Sequence, residues 1–303
     1  MKKRRSTPQV AQWLPGRTAD AHKGDFGHAL IVAGSKGMAG AAILAARAAS
    51  RAGAGLVTLA VPENLQPVVA GHVPEAMTLG LPEVHGSAIA PEACGRIYRD
   101  LAGKRWNVLA IGPGLGTDPT TERALIAILG RIKLPAVIDA DGLNLLSRHG
   151  LPQVRKLFEE RQAPCVLTPH PGEMARLLSW QTDEVQSRRE EAARTLARAL
   201  GCVCLLKGKG TIITDGERMA TNPTGNPGLA KGGSGDVLTG VIAGLWAQRL
   251  KSAPQERGFE VAALGAWLHG AAADEAVKTR PAATLLASDV VEALPAAFRR
   301  LAA

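Results

Sequence analysis

The chain has 303 residues, of which 46% are hydrophobic and 3% aromatic, and its formal net charge is +9. Such a length is enough to bury a large core, while so few aromatic side chains leave little on which nucleic-acid bases could stack. Residues 1–17 contain five Lys and Arg and no acid, and subtracting these five charges from +9 leaves +4 for the remainder. The composition therefore argues against a nucleic-acid partner and favours an enzyme that handles anionic substrates.

The predicted domain organisation is simple, because no shift in composition divides the chain after its basic start. Residues 1–20 are expected to form a basic, disordered tail and residues 21–303 a single domain. The opening MKKRR could begin a signal peptide, but the residues that follow lack an apolar core of the needed length. No later stretch approaches a membrane span without Lys, Arg or several glycines. We therefore expect a cytoplasmic protein without a membrane partner.

Apolar runs of strand length alternate with longer helical patterns along the chain. The first half contains predicted strands at 28–34, 55–61, 106–112 and 135–140, with a helix after the first and another from about residue 120. The second half contains strands at 165–169 and 202–208, a helix near 183–200, a hairpin at 211–221, and helices from 236, over 261–276 and near 288–301. This alternation predicts an α/β fold with a mostly parallel central sheet flanked by helices.

Glycine-containing clusters follow five of the predicted strands. They are GSKGMAG (34–40), GPGLG (112–116), DADGLN (139–144), TPHPGE (168–173) and KGKGT (207–211). Each cluster alone is ordinary turn chemistry, but ligands of open parallel sheets bind beyond the carboxyl ends of the strands. Their coincidence predicts one ligand cleft at that edge of the sheet.

The first cluster has a possible alternative as the phosphate loop of a dinucleotide-binding fold, since it joins a strand to a helix. That fingerprint needs glycines at offsets zero, two and five, whereas Gly34, Gly37 and Gly40 stand three residues apart. The spacing therefore argues against hydride transfer.

Residues 226–240, NPGLAKGGSGDVLTG, place glycines around one acid just before an apolar helical pattern. The start of such a helix attracts anions, because glycine lets backbone N–H groups approach a ligand. Asp236 is then either a helix N-terminal charge favoured by the macrodipole or a base that works beside a phosphate.

Two further clusters hold candidate ligand-binding side chains. Lys207, at the end of a predicted strand and before glycines, is either a surface lysine or a point charge that grasps a phosphate. His170 stands between two prolines and three residues before Glu173. These two form either a polar pair in a rigid loop or a contact to substrate or to a metal-bound water.

The cysteines and the remaining histidines show no spacing typical of a metal site. The cysteines, expected to be core thiols, are Cys94, Cys165, Cys202 and Cys204. The histidines without a predicted ligand role are His22, His28, His72, His85, His149 and His269. We expect no chemistry from either set.

From about Lys23 to Leu245, the chain resembles the ADP/ATP-dependent NAD(P)H-hydrate dehydratases, a branch of the ribokinase-like superfamily. The resemblance is carried, in order, by KGDFGHALIVAGSKGMAG, IGPGLG, VIDADGLNLL, VLTPHPGE, LLKGKGT and NPGLAKGGSGDVLTGVIAGL. Relatives most often have GGTGD, and Ser234 keeps the hydroxyl of that threonine. The resemblance implies a ribokinase-like αβα sandwich, with helices on both faces of the sheet.

The resemblance also implies a repair reaction, in which hydrated NADH or NADPH loses water at the expense of ADP or ATP. The hydroxyl would be phosphorylated and phosphate would then depart, leaving AMP when ADP is used. Asp236 would take the hydroxyl proton, and Gly233, Ser234 and Gly235 would form an anion hole for the phosphoryl group.

By motif position, the resemblance assigns two sets of contacts. Those to the hydrated NAD(P)H are Ala41, Gly116, His170 and Asp236. Those to the nucleotide are Lys207, Gly208, Lys209, Gly210, Thr211 and Gly235. Glu173 is a candidate ligand, through water, for a Mg²⁺ that accompanies the nucleotide.

Relatives often form tetramers, so a homotetramer is expected. Many bacterial members carry an N-terminal epimerase domain. It is not expected in the roughly twenty residues before Lys23, so the resemblance implies a functional link to a separate NAD(P)H-hydrate epimerase.

Two alternatives stay open. A small-molecule kinase of the same superfamily, acting on a pyrimidine alcohol or a sugar, would share GGSGD and its acid, although GSKGMAG and TPHPGE argue against it. A nucleotide-binding regulatory protein without catalysis would more readily have lost Asp236. The choice between ADP and ATP, and between the hydrates of NADH and NADPH, also stays open.

Overall fold

The computed structural model describes residues 17–86, 88–104, 106–249 and 258–302. The basic tail predicted over residues 1–20 lies outside the described residues up to residue 16, and residues 17–20 are exposed. From residue 21 onwards, the described ranges pack around one central sheet.

A nine-stranded sheet forms the middle layer, in the order β11-β10-β9-β8-β7-β6-β1-β2-β3. Strands β1–β3 and β6–β9 pair in parallel, whereas β10 and β11 run antiparallel at one edge, and β4 and β5 form a separate hairpin. The strands are β1 (His28–Val32), β2 (Leu56–Pro62), β3 (Met77–Leu81), β4 (Glu83–Val84), β5 (Ala88–Ile89), β6 (Val108–Ile111), β7 (Ala136–Ile138), β8 (Cys165–Leu167), β9 (Val203–Leu206), β10 (Ile212–Thr214) and β11 (Met219–Thr221). The mostly parallel sheet predicted from the alternation of elements is confirmed.

Helices cover both faces of this sheet. They are α1 (Ala39–Arg51), α2 (Gln66–Ala70), α3 (Ala93–Lys104), α4 (Pro119–Arg131), α5 (Asp141–His149), α6 (Leu151–Arg161), α7 (Pro171–Leu178), α8 (Thr182–Ser187), α9 (Arg189–Leu200), α10 (Ser234–Arg249), α11 (Gly258–Ala276) and α12 (Ala287–Ala302). Helices α1, α10, α11 and α12 build the core on one face, and α3 to α9 build the core on the other. The predicted αβα sandwich is therefore confirmed.

Close packing of α1 on α10 explains much of the alanine and glycine content. A methyl group added at Gly240 would lie 2.1 Å from the carbonyl oxygen of Ala45, and one at Gly244 would lie 2.4 Å from that of Ala49. Two backbones approach this closely only where side chains are absent. The contact holds the first turn of α10 beside α1.

Several elements were not predicted, and one predicted element differs. The strand β3, the β4–β5 hairpin and helices α2, α3, α5, α6 and α7 are additional. The helix predicted near 183–200 is two helices, α8 and α9, which meet at Arg188. The guanidinium of Arg188 bonds Glu184 and Glu191 on either side of this break and stacks over the ring of Trp180. All four cysteines are buried, as predicted.

Among the described helices, none combines the length and the hydropathy that crossing a membrane would require.

Candidate active site

The five strands that precede the glycine clusters are neighbours in the sheet, in the order β9-β8-β7-β6-β1, and all run parallel. Backbone groups join the loops that leave them. Gly34 N–H donates to Pro113 O at 2.8 Å, and Lys207 N–H donates to Pro169 O at 2.8 Å. The predicted convergence of these loops on one edge is confirmed.

A buried ion cluster lies at the middle of this edge. Asp139, which directly follows β7, is fully buried. Its Oδ1 accepts a hydrogen bond from Lys207 Nζ at 2.7 Å, and its Oδ2 accepts one from Thr239 Oγ1 at 2.7 Å. Glu173 Oε2 lies 3.8 Å from the same Nζ. The cluster ties β7, β8 and β9 to the first turns of α10.

Lys207 is not a surface lysine, because its side chain is only 20% exposed. Burial disfavours its ammonium form, but the carboxylates of Asp139 and Glu173 outweigh burial and raise the pKa of Lys207. The ammonium has three donors, and the Asp139 hydrogen bond uses one of them. Lys207 therefore stays charged and retains donors for a further anion.

Asp236, the third residue of α10, carries a carboxylate without a partner. Within the described ranges, no backbone or side-chain donor bonds its oxygens. Burial, together with the nearby carboxylates of Asp139 and Asp141, raises the pKa of Asp236 to about 7, although Lys207 acts in the opposite direction. A helix N-terminal charge would accept backbone N–H groups and have a lowered pKa. The environment of Asp236 is instead that of a base poised near neutrality.

The glycine-rich start of α10 packs closely against Leu44 of α1 and against Lys207. A methyl group at Gly233, whose φ is +87°, would lie 2.7 Å from Leu44 Cδ1. One at Gly235 would lie 3.3 Å from Lys207 Nζ, so the loop passes directly over the lysine. Ser234 is buried, and its Oγ lies 3.3 Å from His269 Nε2.

His269 is a feature of the site that sequence analysis missed. It lies on the buried helix α11, and burial lowers the pKa of His269 to about 4, so the imidazole is neutral. A neutral ring beside Ser234 Oγ can fix the direction of that hydroxyl. The available signal was a single histidine within the apolar middle of this helix, and such a histidine is more often an ordinary core residue.

The first turn of α1, which carries Ala41, contacts the loop that carries Gly116. A methyl group added at Gly114 would lie 2.9 Å from Ala41 Cβ, and one at Gly116 would lie 3.6 Å from Ser35 Oγ. Gly116 N–H donates to Asp141 Oδ2 at 2.9 Å. The structure therefore packs the helix turn that carries Ala41 against the loop that carries Gly116, and Asp141, which follows β7, binds that loop.

His170 is the N-cap of α7. Its Nδ1 accepts from the N–H groups of Gly172 and Glu173 at 3.0 and 3.4 Å, and Glu173 Oε2 accepts from His170 N–H at 2.7 Å. Burial, with the positive charges of Lys207 and Arg176, lowers the pKa of His170. The ring is therefore neutral, half exposed, and carries its proton on Nε2. The polar pair predicted from the loop exists, with His170 Nε2 lying 3.4 Å from Glu173 Oε1.

Glu173 is the candidate contact to a metal. One of its oxygens is used at the start of α7, and burial raises the pKa of Glu173 although Lys207 opposes this. The described ranges contain no group of three or more His, Cys, Asp or Glu side chains that could hold a metal ion. Mg²⁺ often takes most of its ligands from phosphates and water. The site fits such an ion only with Glu173 as a contact through water.

Arg189 holds the start of the loop of residues 207–211 through hydrogen bonds to the backbone. Its guanidinium donates to the carbonyl oxygens of Leu206 and Lys207 at 3.1 and 3.2 Å. Thr211 Oγ1 donates to Gly208 O at 3.0 Å and closes the turn. Gly208, Lys209 and Gly210 thus form an ordered turn in which Gly208 and Lys209 are exposed.

A mostly parallel sheet with a glycine-rich helix start beside an unpaired carboxylate matches the architecture of the ribokinase-like class. In line with this, a solved ribokinase-like superfamily protein from Enterococcus faecalis superposes with a TM-score of 0.77 at 26% identity, covering 96% of this chain and 93% of that one. More specifically, the family model for NAD(P)H-hydrate dehydratase matches residues 29–296. The chain belongs to the NAD(P)H-hydrate dehydratase family.

Two relatives illustrate the similarity. The crystal structure of the ADP/ATP-dependent NAD(P)H-hydrate dehydratase from Bacillus subtilis, co-crystallised with ATP and Mg²⁺, has a TM-score of 0.80 at 33% identity and 96% coverage of both chains. The bifunctional NAD(P)H-hydrate repair enzyme Nnr of Moorella thermoacetica is 47% identical over 290 residues, which are 95% of this chain and 52% of that protein. The chain thus spans about half the length of the curated relatives it matches.

Proposed function

We propose that this chain is an ADP-dependent dehydratase that returns hydrated NADH and NADPH to their working forms. The observation that carries the proposal is the Asp236 carboxylate, which lies unpaired at the glycine-rich start of α10 with its pKa raised to about 7. The name of the similar Bacillus subtilis protein, and its crystallisation with ATP and Mg²⁺, support the same assignment.

The reaction begins with proton removal from the hydroxyl of the hydrated ring. Asp236 accepts this proton, and the oxygen attacks the terminal phosphorus of ADP, so that the bond to the bridging oxygen breaks and AMP leaves. A general base works best when its pKa lies near the operating pH, which the environment of Asp236 supplies.

The phosphoryl group in transit is negatively charged and needs donors that are already in place. The N–H groups of Gly233, Ser234 and Gly235, with the positive end of α10, supply them as an anion hole. Lys207 adds a full charge directly beneath Gly235. The resulting phosphate ester is a good leaving group. Loss of phosphate with a proton from the adjacent carbon restores the ring double bond.

The nucleotide lies against residues 207–211 and Gly235 in this proposal, with Lys207 on its phosphates. Mg²⁺, when bound, neutralises phosphate charge during the transfer. Glu173 holds that ion through water, because its carboxylate is committed to the start of α7 and to Lys207. ADP is preferred in this proposal, and ATP is the alternative co-substrate.

The hydrated NAD(P)H contacts Ala41, Gly116 and His170 in this proposal. Because His170 is also the N-cap of α7, its two roles need separate variants. His170→Asn keeps a cap acceptor, so the free energy of unfolding should stay within about 0.5 kcal/mol, while KM for the hydrate rises about tenfold. His170→Ala should additionally lose about 1 kcal/mol of stability. Chemical denaturation measures the stability of the two variants, and steady-state kinetics measure their KM for the hydrate. An unchanged KM for His170→Asn would mean that His170 acts only as the helix cap.

The assay that tests the function supplies hydrated NADH or NADPH with ADP or ATP and follows the return of dihydronicotinamide absorbance. With ADP, we expect equal amounts of dihydronicotinamide, AMP and phosphate. Nucleotide consumption that yields a phosphorylated product without absorbance would indicate the kinase alternative. Nucleotide binding without any turnover would indicate the regulatory alternative.

We further propose a cytoplasmic homotetramer that works alongside an NAD(P)H-hydrate epimerase. The names of the curated relatives, which are bifunctional repair enzymes, support a second repair activity in the same process. Light scattering of the purified chain would report its assembly.

A further inference from the structure

Arg176 is an exposed cation on α7 that the proposed mechanism does not use. Its Nε donates to Asn144 Oδ1 at 3.0 Å, and Asn144 Nδ2 donates to Asp141 Oδ1 at 3.4 Å. The second oxygen of Asp141 accepts from Gly116 N–H at 2.9 Å. A continuous chain of hydrogen bonds therefore fixes the guanidinium of Arg176 relative to the Gly116 loop.

The terminal nitrogens of Arg176 are left for a ligand. In the described part of the chain they have no hydrogen-bond acceptor and no carboxylate within ion-pair distance. Nη1 lies 3.8 Å from where a methyl group at Gly172 would be, next to His170. The charge of Arg176 contributes to the lowered pKa of His170, which is consistent with this closeness. An arginine held through Nε presents its remaining fork in a fixed direction, which suits bidentate contact with a phosphate.

The charge of the inner site favours such a cation. Asp139, Glu173 and Asp236 place three carboxylates around Lys207, which the Asp139 hydrogen bond already engages, and Asp141 lies close to Asp236. A dinucleotide brings further negative charge into the same cleft. Arg176 lies next to Gly172 and His170 and is linked through Asn144 and Asp141 to Gly116, so it lies near two of the residues proposed to contact the dinucleotide.

We propose that Arg176 binds a phosphate group of the hydrated dinucleotide, with Asn144 and Asp141 as the residues that position it. The identity of the ligand as a dinucleotide rests on the proposed function. The pyrophosphate, common to both cofactors, and the 2′-phosphate of the NADPH form present the same chemistry to the guanidinium.

The test compares Arg176→Gln, Arg176→Lys and Asn144→Ala with the parent, and with Arg155→Gln as a control on the exposed surface of α6. Two quantities are measured for each protein: KM for both hydrates and for ADP, and Kd for NADPH and NADH by calorimetry. In Arg176→Gln, KM for hydrate and Kd for the dinucleotide should rise about tenfold or more, with kcat and KM for ADP within about twofold of the parent. Arg176→Lys should recover part of the affinity and Asn144→Ala should lose a smaller part, whereas Arg155→Gln should match the parent.

The two cofactors distinguish the phosphate that is bound. If Kd rises for NADPH and NADH alike, Arg176 binds the pyrophosphate. If Kd rises for NADPH alone, Arg176 binds the 2′-phosphate. Unchanged Kd for both, or a rise confined to KM for ADP, would overturn the inference even if the parent dehydrates the hydrate normally. A parent that binds dinucleotide through Arg176 but returns no dihydronicotinamide would instead refute the proposed function and leave the phosphate contact standing.

Discussion

Asp236→Asn is expected to lower turnover by roughly two to four orders of magnitude while the affinities for hydrate and nucleotide stay near those of the parent. The amide keeps the size and shape of the carboxylate and removes its ability to accept a proton. The matched control is Asp289→Asn, because Asp289 is also the third residue of its helix, α12, but accepts Leu286 N–H at 3.0 Å as a cap. That control should turn over normally. A binding-competent Asp236→Asn that also does so would refute the mechanism.

The pH dependence of the parent follows from the same carboxylate. Only the ionised form accepts a proton, and the pKa of Asp236 is raised to about 7, so kcat/KM should rise with pH through about that value. In Asp236→Asn the residual activity should lose this limb. A pH profile measured with subsaturating hydrate and saturating ADP compares the two proteins directly.

The same substitution should stabilise the fold above neutral pH. The pKa of Asp236 is higher in the native state, about 7, than its ordinary value of 3.8, so the native state binds more protons between those values and stability falls as pH rises through them. Above pH 7 the parent holds an unpaired charge that the amide lacks. We expect the free energy of unfolding of Asp236→Asn to exceed that of the parent by on the order of 1–3 kcal/mol at pH 8 and to equal it near pH 3, as measured by chemical denaturation. A helix-end charge would instead cost about 0.3–1 kcal/mol when neutralised.

Local chemistry could be predicted from the sequence, and long-range contacts could not. The glycine-rich start of α10, which contains Asp236, and the loops after five parallel strands can each be recognised within a few residues. The Lys207–Asp139 ion pair joins residues 68 apart and the Thr239–Asp139 hydrogen bond residues 100 apart, so no spacing indicates them. Asp139 was noted only as part of a turn cluster, although an acid directly after a buried strand is a usable signal.

The missed helices have a similar explanation. Helix α6 buries Arg161, whose Nη1 donates to the carbonyl oxygens of Leu129 and Ile132. A charged residue therefore occupies a core position where a helical pattern predicts an apolar one. Helix α7 begins with Pro171 and Gly172, which are typical of a loop, and it forms because His170 and Glu173 cap each other's backbone N–H groups.

Lys207→Met is expected to have the second large effect, on both stability and nucleotide binding. It leaves the buried carboxylates of Asp139 and Glu173 without their cation, so the free energy of unfolding should fall by about 3 kcal/mol. Loss of a charged contact to phosphate should weaken ADP binding by about 1.5–3 kcal/mol. Because Lys207 also lowers the pKa of Asp236, the rising limb of the pH profile should move to higher pH. Lys209→Met, in the exposed part of the same turn, is the control and should leave stability near the parent's.

The double variant Lys207→Met with Asp139→Asn separates the two roles of the lysine. The double variant removes both members of the ion pair, so the Asp139 charge that Lys207→Met leaves uncompensated is absent. Much of the stability lost in Lys207→Met should therefore return. Nucleotide affinity should stay low, because the ammonium that contacts phosphate is still missing. Calorimetric titration with ADP measures the affinity, and thermal melts measure the stability, of the parent, Lys207→Met, Asp139→Asn and the double variant. If the affinity for ADP returned together with stability, Lys207 would act only by holding Asp139. The phosphate contact proposed for Lys207 would then belong to the N–H groups of residues 233–235 alone.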